Sequence, residues 1–261
     1  LRVCFVSGAR ACVASLNGID EHVWNPTTDT LIQHTYDVHR FERKALNKAP
    51  LQELFGLEQR PDALVFGSVG RLVEQKGVDL LIDILPRLMA RPEVQLVVQG
   101  NGDPVLERAL SEAASTYRGR VGVYLGFDEV RAHRIQAGCD AFLMPSRYEP
   151  CGLTQLYSLR YGTLPVVRRT GGLADTVVDH NTQTMLEGTA TGFVFDDPRP
   201  DALWEAIERV LALRQRPGVF WQKVAETGMR QELGWPGERV RSYYQLYQEA
   251  LDHPARNPVM A

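Results

Sequence analysis

The chain has 261 residues, of which 44% are hydrophobic and 23% are charged, and its formal net charge is −3. This composition is ordinary for a soluble globular protein and allows one large α/β domain or two small ones. The small net charge excludes a general attraction to nucleic acid or to anionic membranes, so any anion-binding site must be local.

Neither a membrane span nor a metal framework is indicated. No stretch of the sequence reaches the ~20 consecutive apolar residues of a transmembrane helix. The four cysteines include no Cys-x-x-Cys pair and share no metal-ligand spacing with the six histidines. We therefore expect reduced thiols, a cytoplasmic location, and no nucleic-acid or membrane partner.

The first 60 residues predict little regular structure. Residues 1–15 predict a short strand and a turn, an atypical N-terminal piece that is too short to be a domain. Residues 16–60 predict a linker or irregular lead-in segment, with turn-forming residues at 24–29 and weak helical spacing at 40–46 and 51–57.

From residue 61 the pattern alternates between strands and helices. Six apolar runs predict strands at 63–69, 94–98, 121–125, 141–144, 165–167 and 192–195. Predicted helices lie between the strands, and three more follow at 202–213, 220–231 and 239–251. Strands that alternate with helices at intervals of about 30 residues indicate right-handed crossovers and a parallel sheet. The predicted fold class is α/β, a doubly wound Rossmann-like domain over residues 61–252, with a flexible tail at 253–261.

Three motifs follow predicted strands and lead into helices. They are GRLVEQKG at 70–77, YEPCGLT at 148–154 and TGGLAD at 170–175. An open α/β sheet holds its ligand at such places, where strands end and helices begin. Two fixed cations, one carboxylate and a Gly-Gly turn together suit a phosphorylated sugar donor.

Arg71 and Lys76 are the cations of the first motif. A guanidinium fork and a compact ammonium are natural partners for a diphosphate, and both would stabilise the charge that develops as a sugar leaves it. Glycines at 70 and 77 allow the backbone to approach a ligand. Taken alone, two cations at this spacing are more often solvated surface residues, and that alternative stays open here.

Glu149 is the carboxylate of the second motif. It can grip sugar hydroxyls or face the cationic ring that forms as a glycosidic bond opens, while the amides of Cys151, Gly152 and Leu153 head a helix. A surface-loop glutamate is the alternative. The pattern shows no positioned histidine base for Cys151, so we interpret it as a small helix-terminus residue and not as a nucleophile.

Two further candidates rest on weaker patterns. Gly171 and Gly172 form a turn after Thr170 that suits an anion, although a plain turn before a helix is equally consistent. Phe127 follows the third predicted strand and can stack on a base, although aromatic residues at strand ends more often belong to the core.

Together these residues resemble the C-terminal half of the bacterial ADP-glucose-dependent glycogen (starch) synthases. The resemblance runs from LNGIDEHVWNP at 16–26 to about residue 247, and its most specific parts are EPCGLTQLY at 149–157 and RRTGGLADTV at 168–177. Many related glycosyltransferases place a second glutamate eight residues after the first. Here that place is taken by Tyr157, which resembles the glycogen synthase variant.

The resemblance implies a fold and an activity. The fold is GT-B, in which two Rossmann-like domains face each other across a cleft. The activity is transfer of glucose from ADP-glucose to the non-reducing 4-hydroxyl of an α-1,4-glucan, with retention and with no metal or other cofactor. The implied partners are ADP-glucose, the glucan and a separate N-terminal glycosyltransferase domain.

The resemblance also implies roles for individual residues. Arg71 and Lys76 would bind the diphosphate and stabilise the ADP leaving group, and Glu149 would contact the glucose near its reacting carbon. Asn17 matches an active-site asparagine at the cleft, and Phe127 matches an aromatic residue beside adenine. The other donor-binding residues that it implies are Cys151, Gly152, Leu153, Thr154, Thr170, Gly171 and Gly172.

The sequence departs from this family in its first part. The family's N-terminal domain carries a Lys-Thr-Gly-Gly-Leu motif, a catalytic-site histidine and much of the acceptor surface, and none of these precedes residue 16. We therefore expect a partial enzyme that binds the donor and is inactive alone. Two alternatives stay open: a non-catalytic module that binds ADP-glucose or glucan, and a related retaining transferase that uses another nucleotide sugar.

Overall fold

The computed structural model of the protein describes residues 5–6, 12–13, 16–235 and 238–252. Most of the strand and turn predicted within the first 15 residues, and the tail predicted at 253–261, lie outside these described residues. Two short strands, β1 (Phe5–Val6) and β2 (Cys12–Val13), pair antiparallel. Within the described part of the chain, no helix combines the length and the apolar character needed to cross a bilayer.

A six-stranded parallel sheet forms the centre of the fold. Its strands are β3 (Leu64–Val69), β4 (Val94–Gly100), β5 (Val121–Leu125), β6 (Ala141–Met144), β7 (Leu164–Arg168) and β8 (Phe193–Phe195). They lie in the order β5-β4-β3-β6-β7-β8, and each neighbouring pair is parallel. A parallel sheet covered on both faces can be apolar throughout, and every residue of β6 is buried. The predicted doubly wound sheet is confirmed.

Helices cover both faces of the sheet. They are α1 (Lys48–Leu54), α2 (Val78–Met89), α3 (Pro104–Thr116), α4 (Glu129–Gly138), α5 (Thr154–Arg160), α6 (Gly171–Thr176), α7 (Thr182–Glu187), α8 (Pro200–Arg214), α9 (Gly218–Met229) and α10 (Glu238–Asp252). A 3₁₀ segment at Val38–Asn47 precedes α1. The helices predicted after residue 61 are present to within a few residues, whereas α7 had no counterpart among the predicted elements.

Alternating side chains of β3 explain the two layers of core. Phe66 is fully buried in a cluster that includes Leu81 and Ile84 of α2. Val65 is fully buried in a second cluster that includes Ile135 of α4. Because successive side chains of a strand point to opposite faces of a sheet, each central strand contributes to both cores.

The lead-in segment packs against the helices of this domain. Residues 16–37 are irregular, as predicted, but Trp24 and Tyr36 pack in a cluster with residues of α4 and α9. Trp24 stacks between His133 of α4 and Tyr157 of α5, at ring-centroid distances of 3.8 and 3.7 Å. Contacts between aromatic rings so distant in sequence show that this part of the lead-in segment packs on the domain. The predicted boundaries of the segment, 16–60, stay a prediction.

The strand order leaves a crevice beside β3 and β6. The chain leaves β3 toward β4 on one side of the sheet, and it leaves β6 toward β7 on the other. The loops that follow these two neighbouring strands therefore diverge, and doubly wound proteins bind their ligands in the gap between such loops. The first two sequence motifs form these loops.

Candidate active site

A cavity of about 460 Å³ lies at this crevice. The loop after β3, the loop after β6 and one residue of the lead-in segment form its wall. The predicted site residues that line it are Asn17, Arg71, Lys76, Glu149, Cys151, Gly152, Leu153 and Thr154. The two cations and the carboxylate singled out from the sequence therefore face one cavity.

Close backbone packing holds the loop after β3 against the loop after β6. Gly77 has a φ of +69°, and a Cβ at this position would lie 2.1 Å from the carbonyl oxygen of Pro145. Only glycine fits there, so the cationic loop lies directly against the end of β6. Gln75 adds a side-chain link, because its Oε1 accepts from Arg71 Nη2 at 2.9 Å and its Nε2 donates to the Tyr148 carbonyl at 3.1 Å.

Lys76 and Glu149 form an ion pair in the cavity wall, between Nζ and Oε2. The side chain of Glu149 is 9% exposed and that of Lys76 is 25% exposed. Ser146 donates a longer hydrogen bond from Oγ to the same carboxylate oxygen, at 3.4 Å. A buried carboxylate needs a compensating cation, so Lys76 holds Glu149 in place before any ligand binds.

The third motif supports the second from behind and does not line the cavity. Gly171 has a φ of +45°, and a Cβ on it would lie 1.9 Å from the Glu149 carbonyl oxygen. A Cβ on Gly172 would lie 2.0 Å from the Cys151 carbonyl oxygen, and its amide donates to the Glu149 carbonyl at 3.1 Å. Thr170 precedes this turn as the N-cap residue of α6. None of these three residues lines the cavity, and the donor-binding role that the resemblance implies for them stays a prediction.

Phe127 stands apart from the cavity. Phe127 follows β5 and Gly126, and its side chain is 82% exposed. It is not among the residues that line the cavity. The alternative of a core aromatic is thereby excluded. The adenine-stacking assignment stays a prediction, because β5 is an edge strand and lies two strands away from β3.

Cys151 lies in the wall as a buried, free thiol. Its Sγ accepts a hydrogen bond from the backbone amide of Asn17 at 3.3 Å, which joins the lead-in segment to the loop after β6. None of the described residues that line the cavity is a histidine. This arrangement agrees with a helix-terminus residue and offers the thiol no base.

Two further cations near the cavity are occupied by structural contacts. The Arg147 guanidinium makes paired hydrogen bonds to the Asp79 carboxylate, at 2.7 and 2.6 Å, which raise the pKa of Arg147. Arg168 donates from Nε to the Ser146 carbonyl at 2.9 Å. Both arginines therefore brace the loop after β6 and leave the positive charge of the cavity to Arg71 and Lys76.

Three side chains that act on this site are not among the residues predicted from the sequence. Gln75 and Ser146 lie beside predicted residues, so their position after strand ends could have indicated them. Tyr243 of α10 donates a hydrogen bond from its hydroxyl to Asn17 Oδ1 at 2.9 Å. Nothing in the sequence pattern connects these two residues, which are 226 positions apart.

No metal centre is evident in the part of the chain that the structure describes, where no three His, Cys, Asp or Glu side chains are placed to hold an ion.

Comparison with known proteins identifies relatives of the whole domain. The family model described as "Glycosyl transferases group 1" matches residues 52–224. A glycogen synthase of Albidiferax ferrireducens is 51% identical over 233 residues, which cover 89% of this chain and 47% of that protein. Glycogen synthase 1 of Methylococcus capsulatus is 49% identical over 243 residues, which cover 93% of this chain and 49% of that protein. The chain thus spans about half the length of the curated relatives that it matches.

A solved structure agrees with these sequence matches. The catalytic domain of starch synthase IV from Arabidopsis thaliana, bound to ADP and acarbose, superposes with a TM-score of 0.83 at 31% sequence identity. The match covers 91% of this chain and 48% of the plant chain.

Proposed function

The chain belongs to the family of group 1 glycosyl transferases, and on this premise we propose that it is the nucleotide-sugar-binding half of a glycogen synthase. The proposed enzyme transfers glucose from ADP-glucose to the non-reducing 4-hydroxyl of an α-1,4-glucan, with retention at the anomeric carbon. The observation that carries this proposal is the single cavity that gathers Arg71, Lys76 and Glu149 at the switch point of the sheet.

In this proposal, Arg71 and Lys76 stabilise the departing ADP. As the bond between the anomeric carbon and the phosphate oxygen breaks, its electron pair stays on the diphosphate and adds negative charge there. Lys76 already touches Glu149 through one of its three N–H donors, so the other two remain to meet phosphate oxygens. Removing one such donor typically raises a barrier by about 3 kcal/mol.

Glu149 faces the glucose in the same proposal. As the leaving group departs, the sugar ring gains positive charge, which a fixed carboxylate stabilises. The acceptor oxygen then bonds to the anomeric carbon on the face that ADP left, and its proton passes to a phosphate oxygen of the ADP. No protein nucleophile is required, so positioning and charge stabilisation supply most of the catalysis.

The choice of ADP as the nucleotide is supported by the plant starch synthase domain, whose solved complex holds ADP and acarbose.

The proposed enzyme is cytoplasmic, as the free thiols of Cys139 and Cys151 suggest. It uses no metal, because the two cations of the cavity meet the charge of the diphosphate. A chelator is therefore expected to leave the rate of transfer unchanged.

The second wall of the cleft is the proposed partner. Because the chain matches about half of its relatives, we propose that the other half supplies the acceptor surface and excludes water. The test mixes this chain with the remaining half of the Methylococcus capsulatus relative and measures glucose transfer from labelled ADP-glucose to glycogen. Transfer is expected on mixing and not from either part alone, and Glu149→Ala should abolish it.

Two results would overturn parts of the proposal. ADP-glucose binding without transfer, alone and on mixing, would identify a non-catalytic binding module. Stronger thermal stabilisation by UDP than by ADP would identify a transferase for another nucleotide sugar.

The thermal-shift series includes Arg71→Ala, and Arg108→Ala is its matched control, since Arg108 is exposed on α3 and outside the cavity.

A further inference from the structure

A second and larger cavity lies away from the candidate active site. Its volume is about 690 Å³, and it is bordered by α7, α8, α9, the loop before α7 and the loop between α8 and α9. Helix α8 packs on β8, and Arg209 of this helix donates from Nη2 to the Val194 carbonyl of β8 at 2.6 Å. We call this the basal cavity, and it shares no lining residue with the cavity beside β3 and β6.

The floor of the basal cavity is apolar. Met185, Leu213 and Phe220 line it, and Leu186 lies at its rim with 79% of its surface exposed. A ring or hydrocarbon group that displaces water from such a concave apolar surface binds with a favourable free energy.

The charged groups of the basal cavity are all basic. Arg209 is neutralised by the Asp179 carboxylate, whose two oxygens each lie 2.9 Å from its Nη1. Arg216 lies over the ring of Phe220, with 5.9 Å between the guanidinium carbon and the ring centroid. Lys223 donates from Nζ to the carbonyl of Met185 at 3.1 Å. Within the described chain, neither Arg216 nor Lys223 has a carboxylate partner, and the lining includes no Asp or Glu.

The helix ends do not cancel this positive charge. Helix α8 ends at Arg214 with a partial negative charge, and α9 begins at Gly218 with a partial positive charge of similar size. These two partial charges offset each other, and two full cations remain. His180 adds no charge at neutral pH, because burial and then the nearby Arg209 lower its pKa.

We propose that the basal cavity binds a small organic anion, whose ring packs on Met185, Leu213 and Phe220 while its anionic group pairs with Arg216 and Lys223. Phosphate, sulfate and carboxylate groups all meet this requirement, and Arg216 offers a planar fork for any of them. A neutral glucan fits less well, since it would leave both cations without a counter-charge. This site is independent of the glycosyl transfer proposed above.

The probe for this proposal is 1-anilinonaphthalene-8-sulfonate, an aromatic sulfonate whose fluorescence rises in an apolar site. The full chain is titrated in saturating ADP, so that the candidate active site is occupied. One class of site is expected, and Arg216→Glu combined with Lys223→Glu should raise its Kd at least tenfold. Arg108→Glu makes a charge reversal on α3, outside the basal cavity, and should change the Kd less than twofold.

A second variant separates charge from folding. If the double reversal lowers the melting temperature, Arg216→Gln with Lys223→Gln is titrated instead and should still weaken binding at least threefold. The proposal is overturned by equal affinity in wild type and both double variants, or by equal affinity for neutral N-phenyl-1-naphthylamine. Displacement of the dye by maltoheptaose would also overturn it, in favour of a glucan site.

Discussion

At the scale of single residues, the contact between Lys76 and Glu149 decides how the candidate site behaves. The two side chains differ in burial, 25% against 9% exposed, so they are not equivalent members of the pair. Water can solvate the Lys76 ammonium when Glu149 is removed, but it has little access to the Glu149 carboxylate when Lys76 is removed. Rate and stability should therefore respond differently to changes on the two sides of the pair.

For Glu149→Gln, we expect a large loss of rate and a small loss of stability. The change removes the charge that we propose faces the sugar, so kcat in the complete enzyme should fall at least about a hundredfold. The lysine left behind is partly solvated, and the free energy of unfolding should fall by less than about 1 kcal/mol. Parallel assays of transfer and urea unfolding measure both quantities, and a proportionate loss of rate and stability would indicate a structural role.

For Lys76→Ala, we expect a clear loss of stability. The change leaves the buried carboxylate of Glu149 without a cation, at a cost of about 1–3 kcal/mol. Adding Glu149→Ala should recover part of this loss, since the unpaired charge is then gone. Urea unfolding of the two single variants and the double variant forms the cycle, and strictly additive effects would contradict this account.

At the scale of elements, aromatic stacking ties the lead-in segment to two helices. The ring of Trp24 lies parallel to that of Tyr157, with an interplanar angle of 8°, and covers His133 with its other face. Tyr157 occupies the position where many related transferases carry a second glutamate. In this chain its ring serves packing, and it fixes the segment that brings Asn17 to the cavity wall.

We expect Tyr157→Glu to loosen this packing and Tyr157→Phe to preserve it. The glutamate uncovers one face of Trp24 and places a carboxylate in a partly buried site, which should reduce the free energy of unfolding by about 1–3 kcal/mol. The phenylalanine keeps the ring and should change stability by less than about 1 kcal/mol. Thermal unfolding followed by tryptophan near-UV circular dichroism compares the two, and equal melting temperatures would show that the stack is unimportant.

At the scale of the whole molecule, the sequence predicted the sheet and most of the cavity. Apolar runs indicate strands, and the charged and glycine-rich motifs that follow β3 and β6 lie where parallel strands end. The local order of apolar, charged and glycine residues is enough to predict strands and the loops that follow them. The Tyr243 contact with Asn17, by contrast, joins distant parts of the chain and leaves no local trace.

The absence of α7 from the predicted elements has a physical cause. Helix α7 is only six residues long and mostly polar, and the capping box of Asn181 and Thr184 defines it where a hydrophobic repeat is lacking. The third motif shows a second limit of the sequence pattern, because two adjacent glycines permit close approach of an anion and of backbone carbonyls alike. In the structure, the groups that approach Gly171 and Gly172 are carbonyls of the same chain.

A buried network couples the lead-in segment to the domain and makes stability depend on pH. Asp29 Oδ2 lies 2.7 Å from His133 Nδ1 and accepts from the Tyr161 hydroxyl at 2.6 Å. Burial alone would raise the pKa of Asp29, but these hydrogen bonds outweigh it and hold the pKa below its ordinary value of 3.8. The native state therefore keeps this carboxylate ionised at pH values where the unfolded chain protonates it.

The stabilisation from Asp29 should be complete above about pH 4, its approximate unfolded pKa, and should disappear as pH falls through the lower native pKa. We expect Asp29→Asn to be less stable than wild type at pH 7 by about 1–2 kcal/mol. The difference should shrink below pH 4. Urea unfolding of both proteins between pH 7 and pH 3 measures it, and a constant difference would rule out this linkage.

The tight seating of Gly171 and Gly172 on the carbonyls of Glu149 and Cys151 constrains how this chain can be recombined with its relatives. A chimera that takes only segment 146–154 from a relative would place that relative's backbone against the Gly171-Gly172 turn of this chain. Any larger residue at either glycine would collide with main-chain atoms, which cannot rotate away. Segment 146–154 and the Gly171-Gly172 turn therefore have to be exchanged together in any recombined protein.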